Sequence, residues 1–347
     1  MHMDTSRKRK MGNIFRGWLY LLLAVLVLLL AACSIPKVTA RPGPGSYTVV
    51  DAKGTLVTLP KKPKRIFTGN LAYDTMVLGL VTPDHLVAVN SLDHDPMMSF
   101  IAEETKDIYL ATRSSMEIPL ELVLKAKPDL IITSSWMDQN TIDMLRGLGY
   151  PVIVCEGPNS IEDVRNAITL ISKALGEEER GRQLIRQMDE EIGEADVVLN
   201  ALTGPRPSGL LISQMQSYGG PGSMYHDLVT HARIQNSIEA VGLKNGEPLT
   251  KELILKADPD FFIVSADRKG DPVRGPKFQR EFFSDPALSS LQGLHHITPV
   301  PDRYIYCASQ NAGYAIKALA NAAYGPLFDL SGEHNLTAAA GASEGKT

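Results

Sequence analysis

Cysteine is scarce in this chain, whose 347 residues include only Cys33, Cys155 and Cys307. Cys155 and Cys307 each end a short run predicted to be a strand, residues 152–155 and 304–307, and they lie in different halves of the chain. The sequence therefore favours two buried free thiols over a disulfide. The cysteines and the eight histidines also lack the spacing of a structural zinc site. We expect neither a disulfide framework nor a fold built around zinc.

Positive charge is not in excess, and the motifs of several enzyme classes are missing. The formal net charge is −4, and the first 32 residues contribute +4, so the remainder carries −8. This charge argues against nucleic acid as a partner. The chain has no His-Glu-x-x-His motif, no Walker loop and no dinucleotide-binding loop. Residues 222–225 (GSMY) lack the flanking glycine of a nucleophile elbow. We therefore do not expect an enzyme.

Long apolar runs are missing as well, with one informative exception near the N-terminus. Residues 18–32 form an apolar run of 15 residues, whereas a membrane-spanning helix needs about 20. Basic residues precede the run, and it ends in LAAC at residues 30–33, which matches a bacterial lipoprotein signal. We predict that residues 1–32 are a signal peptide and that Cys33 becomes the lipidated N-terminus. A plain secretory signal or a short anchor is the alternative.

The most informative pattern is a segment that the chain uses twice. Residues 121–134 (ELVLKAKPDLIITS) and 252–265 (ELILKADPDFFIVS) are identical at nine of fourteen positions. Each copy predicts a helix that ends before Pro-Asp and is followed by a buried strand. Two copies are too few for a solenoid. We therefore expect two similar lobes with a ligand cleft between them.

Strands and helices alternate along most of the chain, which indicates an α/β fold with mostly parallel sheets. We predict a lipidated tether at residues 33–46 and an N-terminal lobe at 47–160 that opens with a hairpin. A helical connection at 161–205, dominated by one long helix, then leads to a C-terminal lobe at 206–330. Residues 331–347 are small and polar, and they predict a disordered tail.

The chain resembles the substrate-binding proteins of siderophore, haem and cobalamin ABC importers, whose two lobes are joined by a single helix. The resemblance covers residues 47–325. It rests on the duplicated segment, on DAKG at 51–54 with PKRI at 63–66, on LGYPV at 148–152 and on EAVGL at 239–243. It implies a metal chelate as ligand, no intrinsic cofactor, and an importer permease with its ATPase as partners. We expect a monomer, held in the bacterial cell envelope through lipid on Cys33.

The resemblance also implies a role for one glutamate in each lobe. In the family, a glutamate at the start of the helix before the Pro-Asp strand contacts arginines on the permease. Those positions match Glu121 and Glu252. A carboxylate in a first helical turn is also stabilised by the helix N-terminus, by about 0.3–1 kcal/mol, so a local role stays open. The recurrence of the glutamate in both lobes favours docking.

The ligand of an open parallel sheet binds beyond the carboxyl ends of the strands, which nominates loops in both lobes. Aromatic side chains in these loops are predicted to stack on a flat ligand, with packing in the core as the alternative. They are Tyr73, Trp136, Tyr218 and Tyr225. Arg113 and Arg268 are predicted to hold an anionic chelate, with a solvated position at the rim as the alternative.

The ligand class depends on histidine and tyrosine, because haem requires an axial ligand. His94 and the pair Tyr225-His226 are the candidates, although His94 stands between two aspartates and equally suits a turn. The chain lacks the spread of histidine and acidic ligands typical of carriers of bare zinc or manganese, so we expect no protein-bound metal. We expect a ferric siderophore before a corrinoid, and a corrinoid before haem. The alternative function of a different class is that of a sensor or scaffold lipoprotein with the same two lobes.

Overall fold

A computed structural model of the chain describes residues 45–213, 215, 217–266 and 277–338. Its strands are β1 (Tyr47–Val50), β2 (Leu56–Leu59), β3 (Ile66–Phe67), β4 (Leu86–Asn90), β5 (Ala111–Thr112), β6 (Leu130–Ser134), β7 (Val152–Cys155), β8 (Ser208–Ile212), β9 (Gln235–Asn236), β10 (Phe261–Ser265) and β11 (Ile297–Val300). Its α-helices are α1 (Leu71–Leu80), α2 (Ala102–Thr105), α3 (Leu120–Ala126), α4 (Gln139–Gly147), α5 (Ile161–Leu175), α6 (Glu178–Asn200), α7 (Met224–His231), α8 (Ser237–Ala240), α9 (Lys251–Ala257), α10 (Lys277–Phe283), α11 (Asp302–Ile305) and α12 (Ala312–Tyr324).

Two parallel sheets form the centres of the two lobes. The first has five strands in the order β5-β4-β3-β6-β7, and the second has four in the order β11-β10-β8-β9. Every pairing within both sheets is parallel. The strands β1 and β2 form the predicted antiparallel hairpin apart from these sheets. The predicted α/β fold with mostly parallel sheets is confirmed.

The duplicated segment folds in the same way in both lobes. Helices α3 and α9 each have seven residues, and each ends at a left-handed residue, Lys127 with φ 48° and Asp258 with φ 39°. The strands that follow, β6 and β10, each lie inside their sheet. The aspartates of the two Pro-Asp pairs, Asp129 and Asp260, accept hydrogen bonds from backbone N–H groups at the start of the neighbouring strands β3 and β8. The same local chemistry therefore ties helix, turn and strand together twice.

The long helix α6 has 23 residues and packs against α5, α1 and α12, so it contacts both lobes. Gly176, with φ 67°, ends α5 and separates it from α6, as predicted. Helices α1 and α12 each pack closely against α6 at a glycine. A Cβ at Gly79 of α1 would lie 2.6 Å from Leu184, and a Cβ at Gly313 of α12 would lie 2.5 Å from Glu191. Any larger residue would push these helices away from α6.

The hydrophobic core continues through both lobes. One cluster joins the inner faces of the two sheets to α1, α5, α6, α7 and α12. A second cluster lies between the first sheet and helices α3 and α4, and a third lies between the second sheet and helices α8 and α9. Within the described residues, no helix is both long and apolar enough to cross a membrane.

Two sequence predictions about the C-terminal part are wrong. Residues 304–307 do not form a strand, because the edge strand ends at Val300 and helix α11 begins at Asp302, directly after Pro301. The strand is instead β11, whose Pro299 is tolerated at a sheet edge. Residues 331–338 are also not disordered. Asn335 and Leu336 are buried, and the backbone N–H of Ala338 donates to the carbonyl of Gly79.

Candidate functional site

The carboxyl ends of the two sheets face a cleft between the lobes. Among the described residues, which leave out 267–276 after β10, the cavity between the lobes has a volume of about 20 Å³, room for about one water molecule. The first lobe lines it with apolar groups and two hydroxyl residues, among them Leu71, Thr75, Met98, Ser99 and Phe100. The second lobe contributes more polar chemistry, including Arg303, Tyr306, Cys307 and Ser309. The described residues leave no room in this cavity for a molecule much larger than water.

Tyr73 packs in the core and does not face the cleft. Asn70 caps α1 by accepting hydrogen bonds from the N–H groups of Ala72 and Tyr73, and this start turns position 73 inward. The ring is fully buried, and its hydroxyl donates to the carbonyl of Glu156 at 3.0 Å. Burial raises the pKa of Tyr73 well above its ordinary value. The predicted stacking role does not fit this position.

Tyr225 is also a core residue. Ser223 caps α7 by accepting from the N–H of His226, and Tyr225 enters the interior in the first turn with no exposed surface. Its hydroxyl is buried and has no hydrogen-bond partner among the described residues, and burial raises its pKa. An axial ligand must reach the cleft, so Tyr225 does not suit that role in this arrangement.

Tyr306 lines the cleft cavity from the second lobe, and Tyr218, which does not line it, contacts the ring of Tyr306. Their ring centroids are 5.4 Å apart, and Tyr218 also contacts the buried ring of Tyr225 at 6.4 Å. The hydroxyl of Tyr306 lies 2.8 Å from Ser213 Oγ at the end of β8. Tyr306 lines the cleft, although the sequence analysis did not select it, because residues 304–307 were predicted to be a strand.

The remaining predicted ligand residues lie in different places. His94 is exposed, and its Nε2 is 3.1 Å from the carbonyl of Thr105, which fits the alternative role of a turn residue. Arg113 is exposed and lines a surface recess with Glu117 and Glu121, so it matches the alternative of a solvated charge outside the cleft cavity. Arg268 lies outside the described residues, as does Cys33.

Trp136 follows β6 at the carboxyl edge of the first sheet, as predicted. The residue is 46% exposed, and its backbone N–H donates to Ser134 Oγ at 3.1 Å. The indole lies directly over Gly157, where a Cβ would be 2.2 Å from the ring. A half-exposed aromatic ring at this edge is available to a ligand.

A buried carboxyl pair supports the loop that carries Met98 and Phe100. Asp74 and Asp93 both accept from the backbone N–H of Asn90, and burial raises the pKa of Asp74 to about 6 and that of Asp93 well above its ordinary value. Thr68 donates to Asp74 at 2.5 Å, and Ser99 donates to Asp93 at 3.0 Å. These hydrogen bonds tie α1 to the loop after β4. No group of three or more Asp, Glu, His or Cys side chains in the described residues is arranged to hold a metal ion.

The two lobes are joined across the cleft by polar contacts. Gln310 Nε2 donates to the carbonyl of Thr75 at 2.8 Å and to Asn335 Oδ1 at 3.0 Å. Asn311 accepts from the N–H of Leu336 at 3.0 Å. Because these amides are buried, they order residues 335–338 against α1 and hold the lobes together.

Glu121 and Glu252 occupy equivalent positions, each exposed and in the first turn of its helix. Thr250 caps α9, and hydrogen bonds from the backbone N–H of Glu252 and from Thr250 lower the pKa of Glu252. Pro119 precedes α3 and supplies no side-chain cap. The local environments differ, yet both lobes present a carboxylate at the same place.

Comparison with known proteins agrees with this architecture. The Bacillus subtilis (strain 168) lipoprotein YvrC, described as an uncharacterized ABC transporter substrate-binding lipoprotein, is 22% identical over 82% of this chain and 94% of its own length. The Fe(3+)-citrate-binding protein YfmC of the same organism is 25% identical over 79% of this chain and 86% of its own length. The apo structure of the periplasmic heme-binding protein RhuT from Roseiflexus sp. RS-1 has a TM-score of 0.64 at 23% identity, over 75% of this chain and 99% of RhuT.

The family model described as "Periplasmic binding protein" matches residues 66–294. The match runs from the first strand of the first sheet, through the long helix, to the end of the second copy of the repeat and beyond. This chain belongs to the periplasmic binding protein family.

Proposed function

We propose that this chain is the substrate-binding lipoprotein of an ABC importer and that its ligand is a ferric chelate. The observation that carries the proposal is the cleft at the carboxyl ends of both sheets, with aromatic and apolar side chains on both walls and the guanidinium of Arg303 at its edge. Such a site suits a ligand that brings its own metal coordination and offers apolar or anionic groups to the protein. The relative YfmC, described as binding Fe(3+)-citrate, supports the choice of iron.

Haem is the second candidate, and a specific observation supports it. Tyr306 lines the cleft with a hydroxyl held by Ser213, and a tyrosine oxygen is one of the axial ligands that proteins give to haem. His94 and Tyr225, the candidates selected from the sequence, have no comparable position. A haem carrier of this kind would therefore use Tyr306.

Ligand identity is tested with the purified full-length chain in detergent. Native mass spectra and absorption spectra are recorded after mixing with ferric citrate, a neutral ferric trihydroxamate, haem or cobalamin. We expect a 1:1 complex with a ferric chelate and a charge-transfer band. A Soret band that Tyr306→Phe alters and His94→Ala does not would replace the proposal with haem binding. A folded chain that binds none of the four would contradict chelate transport.

The proposed partner is a permease that offers basic residues to Glu121 and Glu252. The double variant Glu121→Lys, Glu252→Lys is expected to abolish import while ligand binding stays unchanged, because surface charges orient partners before contact. Glu103 and Glu239 supply a matched control, since each is exposed in the first turn of another helix, one in each lobe. Import that survives reversal of Glu121 and Glu252 would remove the docking assignment.

The proposed anchor is a lipid on Cys33 after removal of residues 1–32. The Cys33→Ser variant is expected to leave the membrane fraction or to keep its uncleaved N-terminus, whereas Cys155→Ala is expected to stay with the membrane. Equal membrane retention and equal mass for the chain and Cys33→Ser would contradict lipidation.

A further inference from the structure

Arg303 of the second lobe reaches across the cleft to the first lobe. Its backbone N–H donates to the carbonyl of Met97 at 2.9 Å, and its Nη1 donates to the carbonyl of Pro96 at 2.6 Å. The guanidinium also lies over the ring of Phe100, 5.5 Å from the centroid. The side chain of Arg303 therefore contacts the opposite wall at Pro96 and Phe100, and its backbone contacts the same loop at Met97.

The C-terminal segment holds the other side of the same guanidinium. Arg303 and the hydroxyl of Tyr304 both donate to the carboxylate of Glu333, and Glu333 precedes the residues that pack on α1. The first lobe, the second lobe and the C-terminal segment thus meet at Arg303. Removal of the guanidinium would take away contacts to both the first lobe and the C-terminal segment.

The closed arrangement leaves polar atoms at this junction without partners. Arg303 Nε and Glu333 Oε2 are buried and have no hydrogen-bond partner among the described residues. A buried polar group without a partner is destabilising, and exposure to water relieves it. These unpaired atoms make the closed arrangement less stable than it would be with every polar atom paired. Opening of the cleft therefore costs less free energy.

The chemistry of the junction indicates what replaces these contacts. A carboxylate of a ligand offers two oxygens to a guanidinium in a charge-assisted, bidentate geometry, which is stronger than a bond to the neutral carbonyl of Pro96. Arg303 also lines the cavity in which the ligand would lie. An anionic chelate can therefore take the place of the first lobe's carbonyl on the same guanidinium, whereas a neutral chelate cannot.

We propose that Arg303 latches the empty cleft and selects a chelate that carries carboxylates, which displace Pro96 from its guanidinium on entry. The selection of anionic chelates, the ligand half of this inference, rests on the proposed function. The contact that keeps the cleft closed without ligand, the latch half, does not. Arg303 is a positioning residue in the empty chain and a contact residue in the complex.

The latch is tested without any ligand through Cys307. This thiol is buried, lines the cleft cavity and has a pKa that burial raises to about 11, so alkylation requires the cleft to open. Peptide mapping of the full-length chain in detergent measures alkylation of Cys307 and, separately, of Cys155 in β7. Cys155 is also fully buried and reports general unfolding, because it does not line the cavity.

Arg303→Gln is expected to raise the alkylation rate of Cys307 about tenfold, since charged hydrogen bonds are lost and the open fraction rises. Arg303→Lys keeps the charge but loses the planar fork, so a smaller increase is expected. Arg165→Gln is the control, because Arg165 pairs with Asp189 and Glu162 on the surface of α5 and α6. Unchanged alkylation in Arg303→Gln, or equal increases at Cys155 and Cys307, would overturn the latch.

The ligand half is tested with ferric citrate and a neutral ferric trihydroxamate as probes. We expect Arg303→Gln to weaken ferric citrate at least tenfold relative to its effect on the neutral chelate, while Arg165→Gln changes neither. Equal losses for both probes would overturn the selection of anionic ligands. Failure of every probe to bind the unmodified chain would contradict the proposed function and this half, while the alkylation result would still decide the latch.

Discussion

The contact of Trp136 with Gly157 predicts that a larger residue at position 157 would displace the indole at the edge of the cleft. A Cβ at position 157 would lie 2.2, 2.3 and 2.7 Å from three atoms of the indole, whereas carbon atoms in contact lie about 3.5–4.0 Å apart. Gly157→Ala therefore forces the ring to move by more than about 1 Å. The indole is 46% exposed, so it can move outward and the backbone can stay in place.

Gly157→Ala is expected to change the free energy of unfolding only slightly but to displace the indole of Trp136 substantially. Moving a half-exposed indole exposes on the order of 40 Å² of apolar surface, which corresponds to about 1 kcal/mol at 25 cal/mol per Å². The tryptophan emission maximum is expected to shift to longer wavelength, because the ring becomes more hydrated. The chain has one other tryptophan, Trp18, so the Trp136→Phe variant supplies the spectrum to subtract. If Trp136 contacts the ligand, ferric chelate affinity falls as well.

The matched control is Gly147→Ala at the end of α4, where a Cβ would meet no atom within 4 Å. It is expected to leave the emission maximum and ligand affinity unchanged. An unshifted emission maximum in Gly157→Ala would refute the packing argument. A shifted maximum with unchanged affinity would refute the assignment of Trp136 to the ligand site.

Three further predictions concern stability and pH. Gly193→Ala, in the middle of α6 with open space at its Cβ, is expected to raise the unfolding free energy by about 0.5–1 kcal/mol in urea titration; a loss would contradict the open geometry. Asp51→Ala leaves Arg146 without its 2.6 Å partner and is expected to lower stability by about 3 kcal/mol, whereas a loss below about 1 kcal/mol would mean that the pair is solvated. Burial raises the pKa of Asp74 from 3.8 to about 6, so the folded state binds the proton more tightly, and stability is expected to fall by roughly 3 kcal/mol as pH rises from below 4 to above 6. Asp74→Asn should flatten that part of the pH profile, and an unaltered profile would contradict it.

The sequence was sufficient for the fold wherever local signals repeat. The two copies of the repeat predict α3 with β6 and α9 with β10, because helix periodicity, Pro-Asp and a short apolar run each act within a few residues. The Gly176 boundary and the hairpin depend on equally local chemistry. The prediction of a strand at 304–307 was wrong, because β-branched and aromatic composition does not reveal that the strand ends at Val300 and that a helix begins after Pro301.

The site was harder to predict because it depends on helix phase and on distant partners. Asn70 and Ser223 are recognisable cap residues, and they fix which side of each helix holds Tyr73 and Tyr225. Whether that side faces the core or the cleft is a property of packing between lobes. Arg303 was missed for the same reason, since its partners in the loop after β4 and in the C-terminal segment come from other parts of the chain.

The proposed site of the ferric chelate is the cleft between the lobes. The most direct measurement is a titration of Trp136 fluorescence with ferric citrate, taken as the difference between the chain and its Trp136→Phe variant, with native mass spectrometry of the same samples. We expect saturable quenching of Trp136 and a retained mass of one chelate per chain. Retention of the chelate with no change in Trp136 and no change in Cys307 alkylation would place the ligand outside the cleft and contradict this proposal.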